Sequence, residues 1–431
     1  MANNDYFKVE GGKKLSGTIT ASGNKNEALP AIAAALLTDE EVSIENIPDI
    51  LDTNHMIDIA ADLGVKVKKI SRNHYTFKAD KIIKDHIDDE LSSKIRSSLL
   101  FLAPMLIRKG SVPLPRSGGD KIGKRRIDSH LFAFIKLGVE LKDDGRSCVL
   151  TAKKLKGTDF LLDEASVMAT ENAVMLAVLT PGTTSIYNAA CEPHVQNLCL
   201  MLNNMGAEIS GIGTNRIVIK GVKKLHGTKH KILPDHIETG SFMGLAAVTD
   251  GGVTIKDSYT HHMEIIFPAF RKLGIKYEVR GKDIFIPGNQ KPKIEDDFDG
   301  SIPSISDQPW PSFPADLTSI MVVAAVFSKG TVIIHEKMFE GRLFFVDSLI
   351  RMGAKVVLCD PHRVVVSGPG KLKSVELSSP DIRAGMALLI AALTAKGTTI
   401  IKNIKQIDRG YQDIDLKLKA LGADITRIVI D

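Results

Sequence analysis

The feature that most constrains this chain is a unit repeated six times along its length. An apolar stretch rich in small residues leads through a Gly-Thr or similar turn into a short strand, and a second helix then ends at Leu-Gly or Met-Gly. That dipeptide stands at Leu63-Gly64, Leu137-Gly138, Met205-Gly206, Leu273-Gly274, Met352-Gly353 and Leu421-Gly422, with the glycines 68 to 79 residues apart. A glycine in this place reads as the left-handed residue that closes a helix by satisfying its last carbonyls. The alternating stretch that follows, such as Val65-Lys66-Val67-Lys68, reads as a strand. The turns Gly182-Thr183-Thr184-Ser185-Ile186, Gly330-Thr331-Val332-Ile333-Ile334 and Gly397-Thr398-Thr399-Ile400-Ile401 each open another strand.

The repeat is far longer than a solenoid unit, so the copies do not stack in an open array. Its first helix, as in Ala31-Ile32-Ala33-Ala34-Ala35-Leu36-Leu37 or Met386-Ala387-Leu388-Leu389-Ile390-Ala391-Ala392-Leu393, is apolar all round and must be buried on every side. The expected architecture is therefore inside-out, with these helices within and the sheets and amphipathic helices around them. A chain of 431 residues exceeds what one core usually holds. Three repeats in each half predict two similar α/β domains, with a crossover at the Pro-containing stretch Lys229–Asp235 and a ligand-binding cleft between them.

Composition removes several classes of function. No apolar run reaches the roughly 20 residues that span a bilayer, and the polar start Met1-Ala2-Asn3-Asn4-Asp5-Tyr6 lacks the basic and apolar parts of a secretory signal. A cytoplasmic protein is expected, with no membrane partner. Cys148, Cys191, Cys199 and Cys359 form no Cys-x-x-Cys pair, which speaks against both a zinc site and a disulfide scaffold. The net charge of +5 suits small anionic substrates but falls short of a nucleic-acid footprint, and 5% aromatic residues leave little for base stacking.

Two groups of residues point to chemistry. Lys25-Asn26, Arg96, Thr170-Glu171, Glu238-Thr239, Asp316 and Arg383 fall at equivalent places, the starts of the buried helices. Helix N-termini offer free amide donors and a partial positive charge to phosphate or carboxylate, while Lys or Arg there opposes the dipole and needs another reason. Thr170, Glu171 and Thr239 are read as ordinary first-turn residues. The second group, Gly118-Gly119-Asp120-Lys121-Ile122-Gly123-Lys124-Arg125-Arg126-Ile127-Asp128, combines close backbone approach with bidentate cations, as phosphate handling requires. Its Gly-x-x-x-x-Gly-Lys is followed by Arg125 rather than Ser or Thr, and Pro113 and Pro115 spoil the preceding strand, so a nucleotide P-loop is rejected.

These segments resemble the enolpyruvyl transferases, on the branch that uses UDP-N-acetylglucosamine, over essentially the whole chain. The resemblance rests on Ser22-Gly23-Asn24-Lys25-Asn26-Glu27-Ala28-Leu29-Pro30, the Gly-Gly loop, Ser166-Val167-Met168-Ala169-Thr170-Glu171-Asn172, Glu192-Pro193, Pro314-Ala315-Asp316, Asp381-Ile382-Arg383-Ala384 and Ile407-Asp408-Arg409-Gly410-Tyr411. It implies two inside-out α/β barrel-like domains, each of three βαβαββ units. Residues 25–233 would form one, with a mobile loop at about 116–127, and residues 1–24 plus 234–431 the other. It implies transfer of the enolpyruvyl group of phosphoenolpyruvate to the 3′-hydroxyl of the nucleotide sugar, the first committed step of peptidoglycan precursor synthesis. The enzyme would be a cytoplasmic monomer needing no metal and no organic cofactor.

Carried over by position, Lys25, Arg96, Arg125 and Arg409 would bind phosphoenolpyruvate, with Asp120 beside it. Asn26, Arg96, Arg125, Arg126, Ile127, Asp128, His130, Ser166, Val167, Met168, Asp316 and Met338 would bind the nucleotide sugar. Lys25, Asp120 and Asp316 would be catalytic, Asp316 as base and Asp120 as acid, while Glu192, Asp235, Glu238, Asp381 and Arg383 would shape the cleft. The family pattern has Cys at Asp120, Pro at Arg126 and Gly at Met168 in most members. The first departure implies insensitivity to the epoxide fosfomycin, and the other two bear on the uridine and diphosphate contacts. Enolpyruvyl transfer to another hydroxyl acceptor and a non-catalytic paralogue are the alternative readings.

Overall fold

All six marker glycines have positive φ, from 75° at Gly274 to 103° at Gly64. A Cβ disfavours that conformation, so glycine ends these helices where another residue would strain the turn. The helices they close are Leu51–Asp62, Asp128–Lys136, Pro193–Asn204, Phe267–Lys272, Val346–Arg351 and Ile414–Ala420. A strand follows each one, as at Lys66–Ser71, Lys355–Asp360 and Asp424–Ile428.

The computed structural model describes residues 5–120, 122–143, 145 and 148–430. They divide into two compact units. A middle unit comprises Gly23–Gly119 and Arg125–Leu233, and a terminal unit comprises the chain up to Ser22, Asp120–Lys124, and the chain from Pro234 onward. Each has three sheets and its own apolar core.

Strand order repeats from sheet to sheet. In the terminal unit Ser304–Ser306 runs parallel to Gly330–His335, which pairs antiparallel with Arg363–Gly368, itself antiparallel to Lys355–Asp360. With the intervening helices this is a βαβαββ unit. The same order recurs in five of the six sheets among the described residues. The sixth has three strands, with Ser111–Pro113 at its edge, where a proline without an N–H is tolerated.

Ring closure decides where the units begin and end. Gly17–Thr20 runs parallel to Val253–Lys256, and Tyr6–Gly11 lies between Gly397–Lys402 and Asp424–Ile428, so the N-terminal strands complete two repeats of the terminal unit. In the middle unit Lys229–Lys231 returns to lie parallel to Glu41–Glu45. The units differ from the expected bounds in two places: Asp120–Lys124 groups with the terminal unit, and residues 23 and 24 group with the middle one. The cause of the first is local hydrogen bonding, since Gly341 N–H donates to Ile122 O at 2.9 Å and Lys124 N–H donates to Glu340 Oε1 at 2.9 Å.

The all-apolar helices are buried as their composition requires. Every residue from Ile382 to Leu393 is buried, as is nearly all of Thr318–Phe327 and His236–Thr249, and these three helices pack on one another. Glycine permits the closest approach, because a Cβ on Gly244 would lie 2.4 Å from Ile320 Cγ2. Lys25–Ala34, Leu102–Lys109 and Val167–Ala177 are the counterparts in the middle unit. No helix of the described residues is long and apolar enough to cross a membrane.

Candidate active site

In the terminal unit short carboxylates satisfy the first amides of two buried helices. Asp235 accepts from the N–H groups of Ile237 at 2.8 Å and Glu238 at 3.2 Å, and Asp381 accepts from those of Arg383 at 2.8 Å and Ala384 at 2.9 Å. The third helix, Thr318–Phe327, is preceded by the turn Ala315–Leu317, which carries Asp316. Its Oδ1 accepts from Arg342 Nη2 at 3.1 Å, and its Oδ2 accepts from Arg383 Nε at 3.0 Å, with Arg383 Nη2 in ion-pair contact at 2.9 Å.

Both arginines are only 3% exposed, whereas the Asp316 side chain keeps 27% of its surface open. Burial is the largest influence and opposes each guanidinium charge, but Asp316 together with Glu336 and Asp381 at Arg342, and with Tyr411 and Asp235 at Arg383, holds both above the ordinary arginine value. The arrangement is an accessible carboxylate clamped in orientation by two buried cations. It can present its remaining lone pairs to a hydroxyl without first reorganising.

Asp120 pairs with Arg409, whose Nη1 also donates to Gln406 Oε1 at 3.0 Å. The Asp381 carboxyl is pushed upward chiefly by burial and further by Asp120, against the pull of Arg342. Asp120, Asp381, Arg342 and Asp316 are thus electrostatic neighbours within one unit. Beneath them Glu336 is fully buried, 3.5 Å from Arg342 Nε, and accepts from Phe339 N–H at 3.2 Å. Burial, reinforced by Asp307, drives its carboxyl far above the usual range despite Arg342. His236 is pushed down to about 3 by burial and then by His262 and Arg383, and is neutral.

The middle unit holds the other assigned residues. Asn24 caps the Lys25–Ala34 helix by accepting from Glu27 N–H at 3.3 Å, and Lys25 Nζ lies 3.1 Å from Asp52 Oδ2. That buried pair answers the question a lysine at a helix start poses. Arg96 donates to the Arg126 carbonyl at 2.8 Å, and its guanidinium is pushed down to about 10 by burial and then by Arg125. A Cβ on Gly119, whose φ is 128°, would lie 3.0 Å from Arg96 Cβ and 3.5 Å from Arg125 Nη1, so the glycine lets backbone and both cations converge. Asn26, Ile127, Ser166, Val167 and Met168 are half-buried.

The remaining expected site residues take part in local contacts. His130, assigned to the nucleotide sugar, is a core residue 3% exposed, accepting from Asn172 Nδ2 at 2.9 Å and pushed down to about 3 by burial and Arg96. Arg126 and Asp128 pair at 2.9 Å with both side chains more than half exposed, a contact of small energetic weight. Glu238 accepts from Ser22 N–H at 2.6 Å and from Lys417 Nζ at 2.7 Å, anchoring the chain near the crossover. Glu192 starts the Pro193–Asn204 helix and helps raise the buried Glu171 carboxyl, an effect in which burial is the larger cause. Met338 is 39% exposed. Lys121 lies outside the described residues.

Sequence reasoning missed Arg342, Glu336 and Asp52. Glu336 did leave a signal: it continues the buried alternation Val332, Ile334 into a position where the period calls for an apolar residue. Among the described residues no group of His, Cys, Asp and Glu is placed to hold a metal ion.

Comparison with known proteins agrees in scale with these observations. Residues 9–418 match the family described as EPSP synthase (3-phosphoshikimate 1-carboxyvinyltransferase). The chain is 52% identical to a UDP-N-acetylglucosamine 1-carboxyvinyltransferase of Bacteroides thetaiotaomicron over 98% of this chain and 99% of that one. It is 49% identical to the protein of that name from Bradyrhizobium diazoefficiens, with 99% of each covered. The crystal structure of the enolpyruvyl transferase NikO from Streptomyces tendae shares the fold at a TM-score of 0.88 and 24% identity, with all of both chains covered. An EPSP synthase of Acinetobacter baumannii does so at 0.75 and 16%, over 98% of this chain and all of that one. With half its residues shared over its full length, the chain belongs to the enolpyruvyl transferases of the EPSP synthase family, among the UDP-N-acetylglucosamine 1-carboxyvinyltransferases.

Proposed function

We propose that this protein transfers the enolpyruvyl group of phosphoenolpyruvate to the 3′-hydroxyl of UDP-N-acetylglucosamine and releases phosphate, opening peptidoglycan precursor synthesis. The observation that carries the reading is the identity of about half, end to end, with relatives named for that reaction. Asp316 takes the proton of the sugar hydroxyl as its oxygen bonds to C2 of phosphoenolpyruvate, and Asp120 gives a proton to C3. The tetrahedral intermediate then loses a proton from C3 and expels phosphate, which restores the double bond on the new ether. Support for these roles comes from the clamp on Asp316 and from Asp120 being its neighbour through Asp381 and Arg342.

Lys25, Arg96, Arg125 and Arg409 bind the anionic phosphoenolpyruvate. Asn26, Arg125, Ile127, Ser166, Val167, Met168 and Met338 contribute to the nucleotide sugar. The enzyme acts as a cytoplasmic monomer, a reading supported by an apolar core in each unit that one chain completes. Phosphate release tests the reading: it should require both substrates, and shikimate 3-phosphate should not replace the nucleotide sugar. Equal release with either acceptor, or none with the nucleotide sugar, would reject it.

A further inference from the structure

Glu340 takes no part in the chemistry above, yet it sits where two short segments interlock. Its Oε1 accepts from Lys124 N–H at 2.9 Å, and next to it Gly341 N–H donates to Ile122 O at 2.9 Å. The Gly341 side is closed by backbone, and a side chain at Gly123 would displace the Glu340 carboxylate. A Cβ on Gly123, whose φ is 138°, would lie 2.4 Å from Glu340 Oε2, and a Cβ on Gly341 would lie 2.8 Å from the carbonyl carbon of Ile122. Ile122 is 5% exposed, so the turn is seated rather than draped over the surface. The donated Lys124 N–H also holds the Glu340 carboxyl below its ordinary value.

The turn carries Asp120 two residues before Ile122, and Arg342, the clamp on Asp316, follows Glu340 by two residues. The segment 336–342 therefore serves both assigned carboxylates. Arg342 holds Asp316 through its side chain, and Glu340 holds the turn that bears Asp120. We propose that Glu340 is a positioning residue for Asp120, its carboxylate fixing the Ile122–Lys124 turn so that Asp120 stays against Arg409. The proposal rests on the reading of Asp120 as the acid. A surface contact without consequence would need neither the adjoining backbone bond from Gly341 to Ile122 nor a glycine on each side.

Glu340→Ala and Glu340→Gln separate positioning from mere support, because glutamine keeps an accepting oxygen. The alanine variant is expected to lose about tenfold in kcat, the scale of one charge-assisted hydrogen bond. KM for UDP-N-acetylglucosamine should stay within about twofold and the glutamine variant near wild type. Trypsin should cut after Lys124, Arg125 and Arg126 faster in the alanine variant only, since a released turn opens more often. In an Asp120→Ala background, Glu340→Ala should cost no further kcat, as expected of residues that act as a unit. Unchanged kcat in Glu340→Ala, an equal loss in both backgrounds, or unchanged cleavage would overturn the proposal. A wild type that releases no phosphate with the nucleotide sugar would instead reject the functional reading, and the trypsin comparison would still decide the placement of the turn.

Discussion

Arg383 and Arg96 both stand at the start of a buried helical segment, where the helix dipole opposes a cation. Their surroundings settle that conflict in opposite ways. Arg383 is almost wholly buried yet is held far above the ordinary arginine value by Asp316, with Tyr411 and Asp235 adding to the effect. Arg96 is pushed down to about 10 by burial and by the neighbouring Arg125. One centre has its countercharge built in, and the other places two like charges where an incoming anion would relieve them. On the proposed reading, Arg383 would help orient the base Asp316, while Arg96 and Arg125 would meet the anionic substrate.

The largest expected effect would break the comparison on the terminal side. If Asp120 is an acid in place of a thiol, the protein incubated with fosfomycin should show no covalent adduct by mass spectrometry, because a carboxylate is a far weaker nucleophile than a thiolate. Asp120→Cys should remain active and gain the adduct, while Asp120→Ala should lose about 10²–10⁴-fold in kcat. An adduct at Asp120 of the wild type, or full activity in the alanine variant, would end its role as the acid.

A smaller effect sharpens the middle-unit side. Arg96→Ala should raise KM for phosphoenolpyruvate by about 10–100-fold, the worth of a hydrogen bond to a charged group, and change kcat by much less. The KM of the variant should also depend less on salt. A fall in kcat with KM unchanged would move Arg96 from binding to chemistry.

The smallest expected effect concerns Glu336. Its folded pKa is raised from 4.5 mainly by burial, so the stability it contributes is complete below about pH 4.5 and is lost as pH rises toward the raised value. Glu336→Gln removes that titration. Thermal unfolding should show the variant gaining on wild type by about 2 °C or more between pH 5 and pH 9. A difference independent of pH would mean that Glu336 is ionised in the fold.

Much of the architecture was legible because it rests on local rules. The six helix-ending glycines and the apolar helices follow from chirality and burial alone, and both could be read from residue type and spacing. What escaped depends on partners distant in sequence. Nothing near Arg342 announces that it meets Asp316 across 26 positions, and nothing near Lys25 announces Asp52 across 27. His130, which the family resemblance assigns to the nucleotide sugar, lies in the core against Asn172, a partner 42 positions away that nothing in its sequence neighbourhood announces. The grouping of Asp120–Lys124 was hidden for the same reason, as it follows from hydrogen bonds to residues 340 and 341.

The central claim is that a carboxylate clamped by two buried guanidiniums performs the first proton transfer, apart from the cations that bind phosphoenolpyruvate. The direct measurement is the turnover of Asp316→Ala alongside its affinity for phosphoenolpyruvate by calorimetry. The account predicts a fall in kcat of about 10²–10⁴-fold, the usual worth of a general base, with the dissociation constant changed by no more than about threefold. Turnover within a factor of a few of wild type, or a loss of phosphoenolpyruvate affinity as large as the loss of rate, would contradict it.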